Sequence, residues 1–296
     1  MLTASEQDII RRWNDFYLNP RQGSVQEQRK RLADYFVEFN ANPPAVGAYH
    51  EAVALKAGLT ADIAVPAGDG PHPVVIYIHG GAWTLGSPAT HRKLVKQFAE
   101  AGYLTIAPDY RLAPEYPFPA GFDDCVFTAQ WAAENAQRYG GDGTRLAMGG
   151  DSAGGNLTAA ALPALASSGR GSLVKAAILI YGAFDFAALV KIAKEAAEPL
   201  ARAYLSNNYP ALLDDPRVSP IRAIKPGAMP PTFIIAGSAD GIVGESRTIA
   251  EAMNRAGIEN ELHIMDDMPH AFMQMTELSA CREGLRLMFD FLRRHV

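Results

Sequence analysis

Apolar positions in the first forty residues recur at helical spacing. Ile9, Ile10, Trp13, Phe16 and Tyr17 form one stripe, and Leu32, Tyr35, Phe36 and Phe39 form another. The pattern predicts two amphipathic helices whose greasy faces must be covered. Each opens with a capping-box spacing, Thr3-x-x-Glu6 and Ser24-x-x-Glu27, and Asn42-Pro43-Pro44 stops the second. An aromatic stripe of this kind serves packing more often than ligand binding, although a lid helix combines both.

Beyond residue 50 the period changes. Val53-Ala54-Leu55-Lys56 and Thr60 to Val65, separated by Ala57-Gly58, predict an antiparallel pair. Val74 to Ile78 is an almost continuous apolar run, as a strand buried on both faces requires. Similar runs follow at 104–107, 146–148, 176–181, 232–236 and 261–265, with helical segments near 91–101, 121–138, 153–168, 242–256 and 277–294. This alternation predicts an α/β protein with a mainly parallel sheet covered on both faces. About fifty residues between Tyr181 and Thr232 exceed a simple crossover. They hold a helical run near 187–205 and a return marked by Pro210, Pro216 and Pro220, so an insertion is expected over the strand ends where open α/β sheets bind ligands.

The chain has 296 residues, 27 basic and 32 acidic, giving a formal charge of −5. That length allows two domains or one large α/β unit, and the composition excludes disorder and collagen-like fibre. Basic residues occur in short clusters such as Arg29-Lys30-Arg31, so nucleic acid and anionic membranes are not expected partners. Cys125 and Cys281 fit buried free thiols rather than a disulfide framework or a metal knuckle. The N-terminus lacks the basic and apolar regions of a secretory signal, and no run approaches a membrane span, so a cytoplasmic protein is expected.

Candidate chemistry centres on Gly149-Gly150-Asp151-Ser152-Ala153-Gly154-Gly155-Asn156, directly after a strand and before a helix. A serine on a sharp strand-to-helix turn sits in strained backbone, and Cβ atoms at Gly150 and Gly154 would collide with neighbouring backbone. No Lys follows, as a phosphate loop would require. A nucleophilic Ser152 needs a base with an oriented tautomer. Of seven histidines, His50 and His72 are placed in loops, His91 near a helix start, His263 in a strand and His295 at a frayed terminus. His270 stands apart, in the loop after the last strand and at the sheet edge that Ser152 faces. The orienting acid is expected from the end of the preceding strand, which selects Asp240. Glu245 falls on the next helix, and Asp266 and Asp267 would more naturally shape the loop of His270. His79-Gly80-Gly81-Ala82-Trp83 supplies closely spaced N–H groups, so Gly81 and Ala82, with Ala153, are the expected oxyanion donors. His79 is expected to fix that loop and Asp151 to brace the turn. Trp83 and Phe272 are candidate pocket walls.

Together these residues resemble the hormone-sensitive-lipase-like branch of the α/β-hydrolases, a family of bacterial esterases. The resemblance covers most of 75–275 and rests on 79–83, Asp109 to Glu115 with Pro117 to Ala120, 150–156, Asp215 to Pro220, Asp240 and His270-Ala271-Phe272. It implies an α/β-hydrolase fold with a Ser152–Asp240–His270 triad and short-chain carboxylesterase activity needing no metal or cofactor. It also implies a helical cap made of segment 1–45 and an insertion at about 185–220 in a catalytic domain of 46–296. The resemblance alone suggests a homodimer. Two departures stand out: Ala82 replaces the usual third glycine, and Asp240-Gly241-Ile242 replaces Asp-Pro-Leu, which loosens the expected acid turn. The rival substrates for the same triad are amides, carbamates and arylformamides. A binding protein without turnover, as in the gibberellin-receptor relatives, would lack a complete triad.

Overall fold

In the computed structural model eight strands form one sheet in the order β1-β2-β4-β3-β5-β6-β7-β8 among the described residues, 2–18 and 23–296. Met1 and residues 19–22 of the expected N-terminal segment lie outside the described residues. The strands are β1 (Ala48–Lys56), β2 (Leu59–Val65), β3 (His72–Ile78), β4 (Leu104–Asp109), β5 (Gly141–Asp151), β6 (Val174–Ile180), β7 (Thr232–Gly237) and β8 (Asn260–Met265). β2 runs antiparallel to both neighbours, and β3 to β8 are mutually parallel.

Alternate residues of a strand face opposite sides, and β3 buries both. Val74, Ile76 and Ile78 join the core under α4 (Ala120–Asn135) and α5 (Ala153–Ser167), with Phe122, Cys125 and Leu157. Val75 and Tyr77 join the core under α3 (Arg92–Glu100) and α9 (Ser279–His295), with Phe98, Leu285 and Phe291. Both cysteines are free and buried. No helix among the described residues is long and apolar enough to cross a membrane.

Several boundaries move for physical reasons. β1 begins five residues before the alternating run, so His50 lies in a strand, its ring 5.2 Å from that of Tyr139. The strand escapes a period-two reading because its register shifts between His50 and Val53, where Ala52 takes φ 51°. His72 likewise opens β3 rather than lying in a loop. β5 extends through Gly149, Gly150 and Asp151, residues too glycine-rich to read as strand. The single helical run near 187–205 is two helices, α6 (Phe186–Ile192) and α7 (Lys194–Leu205), broken at Ala193. His295 is the last residue of α9, with its ring 4.5 Å from Phe291. α8 (Val243–Arg255) completes the β7–β8 crossover.

The N-terminal helices α1 (Ala4–Leu18) and α2 (Val25–Phe39) pack through the expected stripes. The Trp13 ring lies 5.7, 5.4, 5.6 and 5.9 Å from Phe16, Tyr17, Tyr35 and Phe36. Thr3 and Glu6 exchange the capping-box bonds, and the second Glu6 oxygen accepts from the Ser279 N–H at 2.7 Å, capping α9. Those bonds to Ser279 and Thr3 hold the Glu6 carboxyl down to about 2. Asn40 ties the end of α2 to the start of α3, donating to the Thr90 carbonyl and accepting from the Lys93 N–H.

Trp13→Ala should therefore remove about 3–5 kcal/mol of packing, chiefly from the N-terminal helices. Native-state hydrogen exchange is expected to quicken by about a hundredfold to several thousandfold in 4–17 and 25–39 while β3 and β5 stay protected. Equal acceleration throughout the sheet would show that the helices do not form a separable unit.

Candidate active site

Ser152 is the hinge between β5 and α5 and adopts φ 53° and ψ −117°, a sparsely populated conformation for a residue with a side chain. Its N–H donates to the Ile180 carbonyl at 2.8 Å, and its carbonyl accepts from the Asn156 N–H at 3.0 Å. The turn has no room to relax. A Cβ on Gly150 would meet the Ile78 carbonyl and the Gly154 backbone, and one on Gly154 would meet the carbonyls of Ile78 and His79. The Asn156 amide then fastens α5 to the carbonyls of Ala183 (2.6 Å) and Val218 (3.0 Å).

Three strand ends converge on this turn. The Ser152 Oγ lies 2.9 Å from His270 Nε2, and His270 Nδ1 lies 2.7 Å from Asp240 Oδ2. Asp240 stands beyond β7, and its other oxygen accepts from the Ile242 N–H at 2.9 Å. This bond closes the turn that Gly241 was expected to loosen. The loop of His270 is stitched to the same exit: Ser238 Oγ accepts from the Asp267 N–H at 2.8 Å, and the Met268 carbonyl accepts from the Ala239 N–H at 3.1 Å. Asp266 and Asp267 are exposed and shape this loop. Glu245, on α8, accepts instead from the N–H groups of Phe184 and Asp185, and burial raises its pKa.

The loop after β3 carries Gly81, Ala82 and Trp83 at φ 127°, 52° and 60°. Gly81 is obligatory, because a Cβ would strike the Leu85 carbonyl, whereas Ala82 holds a side chain in left-handed backbone. His79 Nδ1 donates to the Gly80 carbonyl at 2.8 Å, and its ring stacks on Tyr110 with centroids 4.3 Å apart. Burial, then the neighbouring His91, hold the His79 imidazole down to about 3. Asp151 joins this loop to the serine turn by accepting from the Gly80 N–H at 2.9 Å and the Tyr77 hydroxyl at 2.8 Å. Gln274 Nε2 donates to it at 3.1 Å, and His91 Nε2 lies 3.2 Å away. Burial alone would raise its pKa; His91 and the donors hold it below the ordinary carboxylate value.

Ser152, His270, Gly81, Ala82 and Ala153 all line one cavity of about 230 Å³. Trp83 lines it too, stacked on Tyr204 of α7 at 4.6 Å and beside Phe186 of α6 at 4.7 Å. Phe272 does not. Its ring is fully buried in the core, 5.9 Å from that of Tyr181, because the positive φ of Ala271 turns the chain inward after His270. The N-terminal helices contribute Phe16, Tyr17, Arg31 and Leu32 to the cavity, and 189–200 adds Leu189, Ala193, Ala197 and Leu200. Arg29 docks α2 on the loop after β3, pairing with Glu115 at 2.7 Å and donating to the Thr84 carbonyl at 2.8 Å.

Sequence reasoning missed Tyr181, whose ring lies 4.8 Å from His270, and the His91–Gln274 contacts with Asp151. Tyr181 ends the apolar run of β6 at the same sheet edge, a signal that could have found it. Gln274 offered none. No group of three or more His, Cys, Asp and Glu side chains is arranged to hold a metal among the described residues.

A family profile described as the alpha/beta hydrolase fold matches residues 75–274. Carboxylesterase NlhH of Mycobacterium tuberculosis is 33% identical over 213 residues, covering 68% of this chain and 66% of the relative, just under two thirds of its length. A hyperthermophilic esterase from the archaeon Pyrobaculum calidifontis superposes with TM-score 0.89 at 26% identity, covering 99% of this chain and 98% of the other. An esterase from the bacterial hormone-sensitive lipase family superposes with TM-score 0.84 at 29% identity over 100% and 99%.

The neutral His79 has a consequence for stability. An imidazole held at about 3 when folded and 6.5 when unfolded disfavours the folded state increasingly as pH falls from 6.5 towards 3. The decline of Tm over that interval is expected to be shallower in His79→Asn. An unchanged slope would contradict the burial argument.

Proposed function

The chain belongs to the α/β-hydrolase fold family, in its hormone-sensitive-lipase-like branch, and on that premise we propose that it is a serine carboxylesterase acting on short-chain acyl esters. The reading is carried by one observation, the continuous hydrogen-bonded chain from Ser152 Oγ through His270 to Asp240 on the wall of an apolar cavity. In the proposed reaction, His270 Nε2 takes the Ser152 proton as Oγ attacks the ester carbonyl. The oxyanion accepts hydrogen bonds from the N–H groups of Gly81, Ala82 and Ala153. The tetrahedral intermediate collapses, His270 gives its proton to the leaving alcohol, and Ser152 keeps the acyl group. Water, deprotonated by His270, then releases the acid and restores the serine.

Asp240 fixes the histidine tautomer, its Oδ2 accepting from Nδ1 so that Nε2 faces the serine. α1 and α2 with α6 and α7 act as a cap whose apolar side chains exclude water. A cavity of about 230 Å³ favours short acyl chains over long ones. The substrate is a small ester.

Purified protein is expected to hydrolyse p-nitrophenyl acetate and butyrate faster than the octanoate and palmitate. Ser152→Ala should lower kcat by about 10⁴-fold or more, and Asp240→Asn by about 10³- to 10⁴-fold. Ester turnover that survives in Ser152→Ala would overturn the mechanism. A folded protein inert to these esters but active on a formanilide or aryl carbamate would assign the triad to a different bond.

A further inference from the structure

The basic run Arg29-Lys30-Arg31 is divided by the fold. Arg29 is consumed by Glu115 and by two carbonyls, Thr84 at 2.8 Å and Ala113 at 3.1 Å. Lys30 pairs with Asp34 at 2.6 Å on the outer face of α2. Arg31 turns to the cavity. Its guanidinium lies 4.6 Å from the Phe16 ring centroid, and Nη2 makes a long bond of 3.3 Å to the Phe16 carbonyl. No carboxylate lies within ion-pair distance of it among the described residues, and residues 1 and 19–22 include no Asp or Glu.

The other walls make this charge conspicuous. Arg31 is the one Lys or Arg side chain lining the cavity among the described residues. The carboxylate and the two imidazoles there are occupied: His270 by Ser152 and Asp240, and the sealed Asp151 and His91 by each other and Gln274. A neutral acyl chain gains nothing from a guanidinium at the mouth of an apolar pocket. A carboxylate gains a charge-assisted hydrogen bond from N–H groups that, among the described residues, make only one long contact.

Resting on the esterase reading, we propose that Arg31 makes the site selective for esters that carry a carboxylate remote from the scissile bond. The carboxylate can reside on the acyl or on the alcohol portion, since both share one cavity. Because Arg31 is exposed to solvent, the attraction is partly screened and weakens with salt.

Two matched pairs test this. Mono-4-nitrophenyl glutarate is compared with 4-nitrophenyl pentanoate for the acyl side, and 4-acetoxybenzoate with its methyl ester for the alcohol side. The ratio of kcat/KM for the anionic over the neutral member should fall about fivefold in Arg31→Gln for at least one pair. It should fall further in Arg31→Glu, be largely kept in Arg31→Lys, and differ less between wild type and Arg31→Gln at high salt. Ratios unaltered by both Arg31→Gln and Arg31→Glu in both pairs would overturn the proposal, as would equal losses for the charged and neutral members. Kd values for the same four esters, measured by calorimetry on the Ser152→Ala background with and without Arg31→Gln, read the selection independently of turnover. A shift in the Kd ratio without any wild-type hydrolysis would keep the selectivity and discard the esterase reading. Hydrolysis without any shift in either ratio would do the reverse.

Discussion

A carboxylate with almost no access to water stays ionised only if donors surround it, and Asp151 meets that condition by drawing separate pieces of backbone together. It stands immediately before Ser152, yet its oxygens accept from the Gly80 N–H of the loop after β3, the Tyr77 hydroxyl from within that strand, and Gln274 from the segment after His270. The strained serine turn, the loop after β3 and the histidine segment are thereby held against a single buried charge. Glycine makes this approach feasible, since a Cβ at Gly80 would collide with the Asp151 carboxylate. Strain at Ser152 persists because its surroundings over-determine it.

The parallel sheet supplies the second part of the geometry. β3, β5, β7 and β8 all end at one edge, so residues far apart in sequence meet there without any long-range contact having to be specified separately. His270 and Ser152 are 118 positions apart and lie 2.9 Å apart in space. The helices that line the cavity at this edge come from separate parts of the chain, α1 and α2 around the Trp13 aromatic cluster and α6 and α7 against the Trp83 ring. In the proposed enzyme, this arrangement separates a rigid catalytic floor from a roof that sets substrate size and charge.

Much of this was legible from the chain. Continuous apolar runs located the inner strands of the parallel sheet, because a strand buried on both faces has little freedom in composition, and the edge strand β8, only partly buried, followed from its place after the last crossover helix. Ser152, Asp240 and His270 could be named because strand exits and chain order restrict the candidates. What stayed hidden depended on local backbone. Ala52 shifts the register of β1 and concealed its first residues, and the positive φ of Ala271 buries Phe272, which adjacency to His270 had suggested as a pocket wall. Tyr181 carried a signal on the chain, as the last residue of the apolar run at β6, but Gln274 and Arg31 acquire meaning only through three-dimensional neighbours. Their residue types are ordinary, and no spacing rule distinguishes them.

A nucleophilic Ser152 can be trapped covalently. Diethyl 4-nitrophenyl phosphate reacts with an activated serine to leave a stable phosphoryl ester, which intact-mass measurement and peptide mapping can count and locate. One diethylphosphoryl group per chain is expected, on Ser152, with loss of ester hydrolysis in proportion to labelling. A protein that hydrolyses p-nitrophenyl acetate yet carries the label on another residue, or remains active when Ser152 is fully labelled, would contradict that role of Ser152.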